Sequence, residues 1–223
     1  MREENDLADR SERDARAKPA GLILHRAAAY DFFVALMTLG RERAFRETLL
    51  RLARLEPGEA VLDVGCGTGS LALAAKRLVG SAGEVQGIDA SPEMLARART
   101  KARRAGLDIA FAEAAAQSLP FLAARFDAVL TTVMLHHLPR PSRADCAREM
   151  RRVLKPGGRV LAVDFAASGE ERGLLAHLHR RHGHVQPDEI AALLEAAGLG
   201  VIASGAVGFR NLCYALATAP GAP

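Results

Sequence analysis

Short apolar runs alternate along this chain with stretches whose apolar residues recur at helical spacing, and from Gly65 onward the alternation is regular. "AVLDV" (60–64), "EVQGID" (84–89), "DIAFAEA" (108–114), "FDAVLTT" (126–132) and "RVLAVDF" (159–165) read as strands. "GVIASG" (200–205) and "NLCYALATA" (211–219) add two more, about seven in all. One helix is predicted from near Ser70. A second follows Ser91, where Ser-Pro-Glu supplies an N-cap, a proline for the first turn and an acid for its positive end. A third runs from about Ser142 to Leu154 and stops at "KPGG". "QPDEIAALLEAAGLG" repeats that grammar, with Pro187 opening a helix, Asp188 and Glu189 in its first turn and Gly198 closing it.

Strand–helix alternation of this kind predicts an α/β fold, a doubly wound, mostly parallel seven-stranded Rossmann-like sheet. No repeat at solenoid periods is present. Ahead of the sheet lie two helical segments, near 22–39 and 41–54. The second is amphipathic, with Phe45, Leu49, Leu52 and Leu55 on one side. The first contains "YDFFVALMTLG", apolar on nearly all faces, which admits two readings: core packing, or a lid roofing an apolar substrate cavity with Tyr30, Phe33 and Met37 on one stripe. The expected division is a charged leader over 1–20, N-terminal lid helices over 21–56 and the sheet domain over 57–219.

Composition narrows the class. Nearly half of the 223 residues are hydrophobic and a quarter are charged, ordinary for a soluble α/β protein. The net charge of +4 comes with arginines spread over helices, as in "ARARTKARR" (96–104), which a solvated helix face explains, so no nucleic-acid partner is expected. Cys66, Cys146 and Cys213 are too few and too scattered for a disulfide scaffold or a cysteine zinc site, pointing to a reducing, cytoplasmic setting. The leader "MREENDLADRSERDARAKPA" is dense in both signs of charge, unlike a signal peptide, and is expected to fray. No run suits a transmembrane segment: "GLILHRAAAYDFFVALMTLG" is interrupted by His25, Arg26 and Asp31.

The candidate chemistry starts at "DVGCGTG" (63–69), in the first strand-to-helix loop, the usual floor of the ligand crevice of such a sheet. Gly65, Gly67 and Gly69 allow positive φ and leave no Cβ in the way of a ligand lying on the backbone. The spacing is G-x-G-x-G, not the G-x-G-x-x-G of dinucleotide sites, and no Walker Gly-Lys-Ser/Thr follows. Asp89 ends the second strand, where a carboxylate accepts two hydrogen bonds from a ribose diol. Asp63 ends an otherwise apolar strand, a costly place for a charge unless loop amides or a cationic ligand satisfy it.

"VLDVGCGTG", "GIDASPEML", "AQSLPF", "FDAVLTTVMLHHL" and "EMRRVLKPGGRVLAVDF" follow one another in an order and at intervals that resemble the class I S-adenosylmethionine-dependent methyltransferases, and within them the ubiquinone/menaquinone C-methyltransferase group. The resemblance covers about residues 30–217. It implies that Asp63, Gly65, Gly67, Thr68 and Gly69 cradle the cofactor S-adenosyl-L-methionine, that Asp89 holds its ribose, with Ala90 and Met94 near the adenine, and that Thr132 faces it. Family members often carry an acid or amide where this chain has Ala115, followed by Ala116, so backbone groups, Gln117 or Glu113 would take over adenine recognition.

The implied activity is methyl transfer to a small, apolar or aromatic acceptor. Its runner-up is quinone C-methylation, and from another class comes a non-catalytic cofactor-binding regulator. A homodimer is compatible with all three. His136 and His137 follow the fourth strand on the acceptor rim and are the candidate catalytic bases, with a local capping role as the competing explanation. The quinone group typically reads Arg-Asn there. "HLHRRHGH" (177–184) has imidazoles at i,i+3 but no cysteine or close carboxylate to complete a cage, so no metal is expected. Cys66, between cofactor-facing glycines, is not expected to act as a nucleophile. No Asn-Pro-Pro-aromatic motif of nucleic-acid methyltransferases follows the fourth strand.

Overall fold

Five residues, Ala60–Val64, form the interior strand β1, with Val61 packed into one side layer and Leu62 and Val64 into the other. A parallel strand covered by helices on both faces requires such a run. The computed structural model describes residues 40–166, 187–209 and 211–221. The leader, the expected lid helix with Tyr30, Phe33 and Met37, and "HLHRRHGH" lie outside the described residues.

The described elements are α1 (Glu42–Leu52), β1, α2 (Ser70–Val79), β2 (Glu84–Asp89), α3 (Pro92–Arg104), β3 (Ala110–Glu113), β4 (Phe126–Thr132), a 3-10 turn (Leu135–His137), α4 (Arg140–Val153), β5 (Leu154–Phe165), α5 (Pro187–Ala196), β6 (Gly200–Ala206) and β7 (Leu212–Thr218). The strands lie in the order β3-β2-β1-β4-β5-β7-β6. Neighbours are parallel except around β7, which runs antiparallel to both β5 and β6. This is the doubly wound, mostly parallel seven-stranded sheet that the sequence pattern predicts. After β3 the chain returns past β1 to lay down β4. Strand order therefore reverses between β1 and β4, and the crevice at their carboxyl ends is where such sheets bind ligands.

Local chemistry explains the boundaries. Ser91 Oγ accepts from the Met94 amide at 3.3 Å, with Pro92 in the first turn and Glu93 beside it, as predicted. α4 begins at Arg140, two residues earlier than expected, because Pro141 fits a first turn whose amides have no intrahelical partner. β3 is shorter than "DIAFAEA" and β5 longer than "RVLAVDF". β5 starts directly after α4, but its pairing with β4 jumps from Phe126↔Leu154 to Ala128↔Arg159, so "KPGG" bulges out of the ladder, with Gly157 at φ +75°. In α1 the buried stripe is Phe45, Leu49 and Leu50 rather than Leu52; Leu55 is buried beyond the helix end, past Arg54, which turns the chain at φ +51°.

The end of the sheet opposite the crevice is tied by charge. Arg159 donates to the carbonyls of Ala53 and Arg54, both at 2.6 Å, and to both oxygens of Glu59 at 2.7 Å, fixing the end of α1. Asp127 accepts from the Ala60 amide at 2.9 Å and from Lys155. Among the described residues no helix is long and apolar enough to cross a membrane.

Candidate functional site

The glycine loop leaves β1 and is stitched to β2, since the amides of Gly65 and Cys66 both donate to the Ile88 carbonyl, at 2.9 and 2.8 Å. Gly65, Gly67 and Gly69 have φ of +73°, +53° and +75°, the left-handed region that disfavours a Cβ. Their surroundings differ. A Cβ on Gly65 would stand 2.4 Å from Cγ of Met134, a flexible side chain that arrives from the end of β4. A Cβ on Gly69 would stand 2.9 Å from Cβ of Ala98 and 3.0 Å from Cζ of Phe111. Gly69 therefore brings α2 into close packing with α3 and β3, a packing requirement for glycine at that position. Cys66 lies buried beneath the loop, its thiol pushed well above its ordinary value by burial and then by the charges of Asp63 and Asp89, which makes it a poor nucleophile.

The two acids behave differently. Asp89 is clamped by the loop it faces: Oδ2 accepts from the Gly67 amide at 2.8 Å and Oδ1 from the Ser91 amide at 2.9 Å. Burial raises its carboxyl above the usual range, and these amides oppose that shift. Each oxygen keeps lone-pair capacity for a diol. Asp63 is only 1% exposed and its Oδ2 has no hydrogen-bond partner among the described residues. Burial, then the charge of Asp89, push its carboxyl up to about 7, against a smaller pull from the Ala72 amide. Thr131 and Thr132, at the end of β4 across the switch point, each bury a hydroxyl that likewise lacks a partner.

The remaining predicted positions gather around the same strand ends. Thr68 is buried, and its hydroxyl accepts from Lys101 of α3 at 2.8 Å, while Lys101 also reaches Ser70 at 3.2 Å, so that hydroxyl faces a protein cation. Met94 is buried behind the Ser91 cap, and Ala90 is half-buried beside Asp89. Beyond β3, Ala115 is buried and Ala116 and Gln117 are half-buried, whereas Glu113 is exposed.

The end of β4 carries features that sequence reasoning missed. Val133 sits at φ +54°, costly for a β-branched residue, about 1–3 kcal/mol, and is held there by its amide on the Val163 carbonyl at 2.8 Å. This twist delivers Met134 over Gly65 and starts the turn that carries the two histidines. Asp164, at the end of β5 and 0% exposed, meets His136 twice: the His136 amide donates to Oδ2 at 2.9 Å and Nδ1 lies 2.7 Å from Oδ1. The Phe165 amide donates to Oδ1 at 2.7 Å as well. The rings of His136 and His137 are 3.9 Å apart, and Phe165 stands edge-on to His136 at 5.4 Å. "VDF" held the signal for Asp164, an acid at a strand end one strand over from the histidines. The structure pairs it with His136.

These residues fit S-adenosylmethionine. The compound has a ribose diol, from which a carboxylate clamped as Asp89 is can accept, and a positive charge that suits strand ends where Asp63 Oδ2 and the Thr132 hydroxyl are buried without partners among the described residues. Comparison with known proteins agrees. A family described as a methyltransferase domain matches residues 61–158. The ubiquinone/menaquinone biosynthesis C-methyltransferase UbiE of Shewanella frigidimarina is 34% identical over 163 residues, 72% of this chain but 64% of its own length, so the chain spans less than two thirds of that relative. The protein of the same description from Marinomonas sp. is 32% identical over 210 residues, 93% of this chain and 79% of its own. A solved S-adenosylmethionine-dependent methyltransferase from Aquifex aeolicus superposes with a TM-score of 0.72 at 23% identity, over 86% of this chain and 96% of its own, a likeness of fold. By its ordered motifs, its strand order and these relatives, the chain belongs to the S-adenosylmethionine-dependent methyltransferases, in the family that includes the ubiquinone/menaquinone C-methyltransferases.

Proposed function

We propose that this protein transfers a methyl group from S-adenosylmethionine to a small, apolar or aromatic acceptor. The observation that carries the reading is the pairing of a half-buried, amide-clamped Asp89 with a buried, partly unsatisfied Asp63 across one glycine loop. In the bound state Asp89 would hold the ribose, and Asp63 with Thr132 would face the cationic methionine end, over the peptide groups of Gly65 and Gly67. The cofactor supplies an activated methyl when bound. The chain's task is to hold the acceptor in line with it, a proximity effect of up to about 7–11 kcal/mol in favourable models. The buried thiols, none of them in a disulfide, suit a cytoplasmic enzyme.

Calorimetry with S-adenosylmethionine tests the seat. Asp89→Ala is expected to weaken binding tenfold or more, since it removes charge-assisted bonds of about 1.5–3 kcal/mol each; unchanged affinity would overturn the ribose assignment. Binding without incorporation of a labelled methyl into any component of a cell extract would favour the non-catalytic alternative. The named activity of the relatives supports a second reading, quinone C-methylation, which a prenylated hydroquinone tests as acceptor.

A further inference from the structure

The His136–Asp164 pair lies beyond the cofactor seat. From its geometry we infer that His136 is the proton acceptor of the reaction, that Asp164 is the residue positioning it, and that the acceptor carries a phenol- or enol-type hydroxyl. This rests on the methyl-transfer reading above and gives it a substrate class.

An ionised carboxylate only accepts hydrogen bonds, so the 2.7 Å contact to Asp164 Oδ1 puts the imidazole proton on Nδ1. The neutral ring then keeps its lone pair on Nε2, which makes no hydrogen bond among the described residues. The ring is also aimed. Asp164 holds both the imidazole and the backbone amide of His136, while Arg143 of α4 donates to the carbonyls of Leu138 at 2.9 Å and His136 at 3.4 Å. The His137 ring lies against one side of the His136 ring, tilted by 44°, and Phe165 meets the His136 ring edge-on. The described titratable or charged groups around the ring are thus Asp164, His137 and Arg143. The His136 side chain is 9% exposed, at the end of the segment whose Met134 lies over Gly65.

The charge balance explains why such a pair belongs beside a sulfonium. As the acceptor O–H breaks, its proton goes to Nε2, and the oxygen, or the ring carbon it activates, forms a bond to the methyl carbon; a methylated ring carbon then gives up its own C–H proton to water as the oxygen regains one and the ring becomes aromatic again. The C–S bond breaks with its electron pair left on sulfur, which becomes a neutral thioether. The positive charge lost at sulfur reappears on the imidazolium, where Asp164 already faces it, and the imidazolium later releases its proton to water. No isolated charge is created in a buried site. A thioether or tertiary-amine acceptor has no proton to lose and would leave the pair without a task.

The test uses the full chain. Long-range proton–nitrogen NMR, with His136→Gln for assignment, should find the neutral His136 ring protonated at Nδ1, and Asp164→Asn should let the Nε2-protonated tautomer appear. A wild-type ring protonated at Nε2 overturns the inference even if Asp164→Asn does not fold. With catechol and a short-chain prenylated hydroquinone as hydroxyl probes, and dimethyl sulfide as the thioether probe, methyl transfer should occur to a hydroxyl probe only. There His136→Gln should lower kcat about 100-fold or more and abolish the acidic limb of the pH profile, and Asp164→Asn should displace that limb. A wild-type rate in His136→Gln, or transfer to dimethyl sulfide alone, overturns the inference. Calorimetric affinity for S-adenosylmethionine should stay within twofold in both variants. If the wild type does not bind that compound, the methyl-transfer reading fails while the tautomer result stands.

Discussion

Two carboxylates end two strands of one sheet at almost equal depth, and they are treated in opposite ways. Asp164, on β5, is 0% exposed and accepts from two amides and an imidazole. Asp63, on β1, is 1% exposed, and one of its oxygens meets nothing among the described residues. Burial alone therefore says little about what an acid does. A carboxylate whose bonds are complete holds its neighbours still, whereas one left incomplete is unfavourable until a cation arrives, and the free protein tolerates it by raising its proton affinity.

The largest effect expected from this contrast is on stability. Asp164→Ala leaves the His136 and Phe165 amides and the His136 imidazole without their acceptor, and should destabilise the fold by about 3–5 kcal/mol in chemical denaturation. A loss below 1 kcal/mol would erase the distinction between the two acids. Gly69→Ala sharpens it from the side of the loop. It forces an alanine to φ +75° against Ala98 and Phe111, and should cost about 1–3 kcal/mol of stability, with S-adenosylmethionine affinity reduced less than by Asp89→Ala.

Asp63→Asn should act in the other sense, lowering affinity for the cofactor about tenfold while stabilising the cofactor-free protein above pH 7. The sign follows from linkage. The folded carboxyl, at about 7, binds its proton more tightly than the unfolded one, near 3.8. Its stability contribution is thus complete below pH 4 and withdrawn as pH rises to 7; Asp89 shifts the same way. Asp127 and Glu149 shift downward: burial opposes, but Lys155 and the Ala60 amide outweigh it for Asp127, as Arg152 and the Leu119 amide do for Glu149. Their gain with pH falls below about 4.5 and leaves the window clear. Across pH 4–8 the wild type should lose about 4 kcal/mol relative to Asp63→Asn. Parallel melting curves for the two proteins would refute the assignment of Asp63.

The sequence carried most of this architecture and only part of its chemistry, for a physical reason. Strand periodicity, the Ser91 cap and the Pro187 helix start are local signals, and the predicted elements that fall among the described residues formed within a few residues of their predicted places. Asp63 and Asp89 were legible because a carboxylate at an apolar strand end stands out in one dimension. The pairing of His136 with Asp164 joins residues 28 apart through adjacent parallel strands, so sequence showed the histidines but not which one is oriented. Gly69 looked like its neighbours because a glycine required by packing and one required by a ligand are written with the same letter. Met134 gave no signal, since its position over Gly65 depends on a backbone twist at Val133 that the residue type disfavours.

That twist sets a trade between robustness and aim. Replacing Val133 by glycine would relax the unfavourable torsion and remove the stiff branch that fixes the direction in which the next four residues leave the sheet. A variant selected for heat tolerance could therefore change at this position and show its loss only in turnover, with a firmer body and a wandering imidazole.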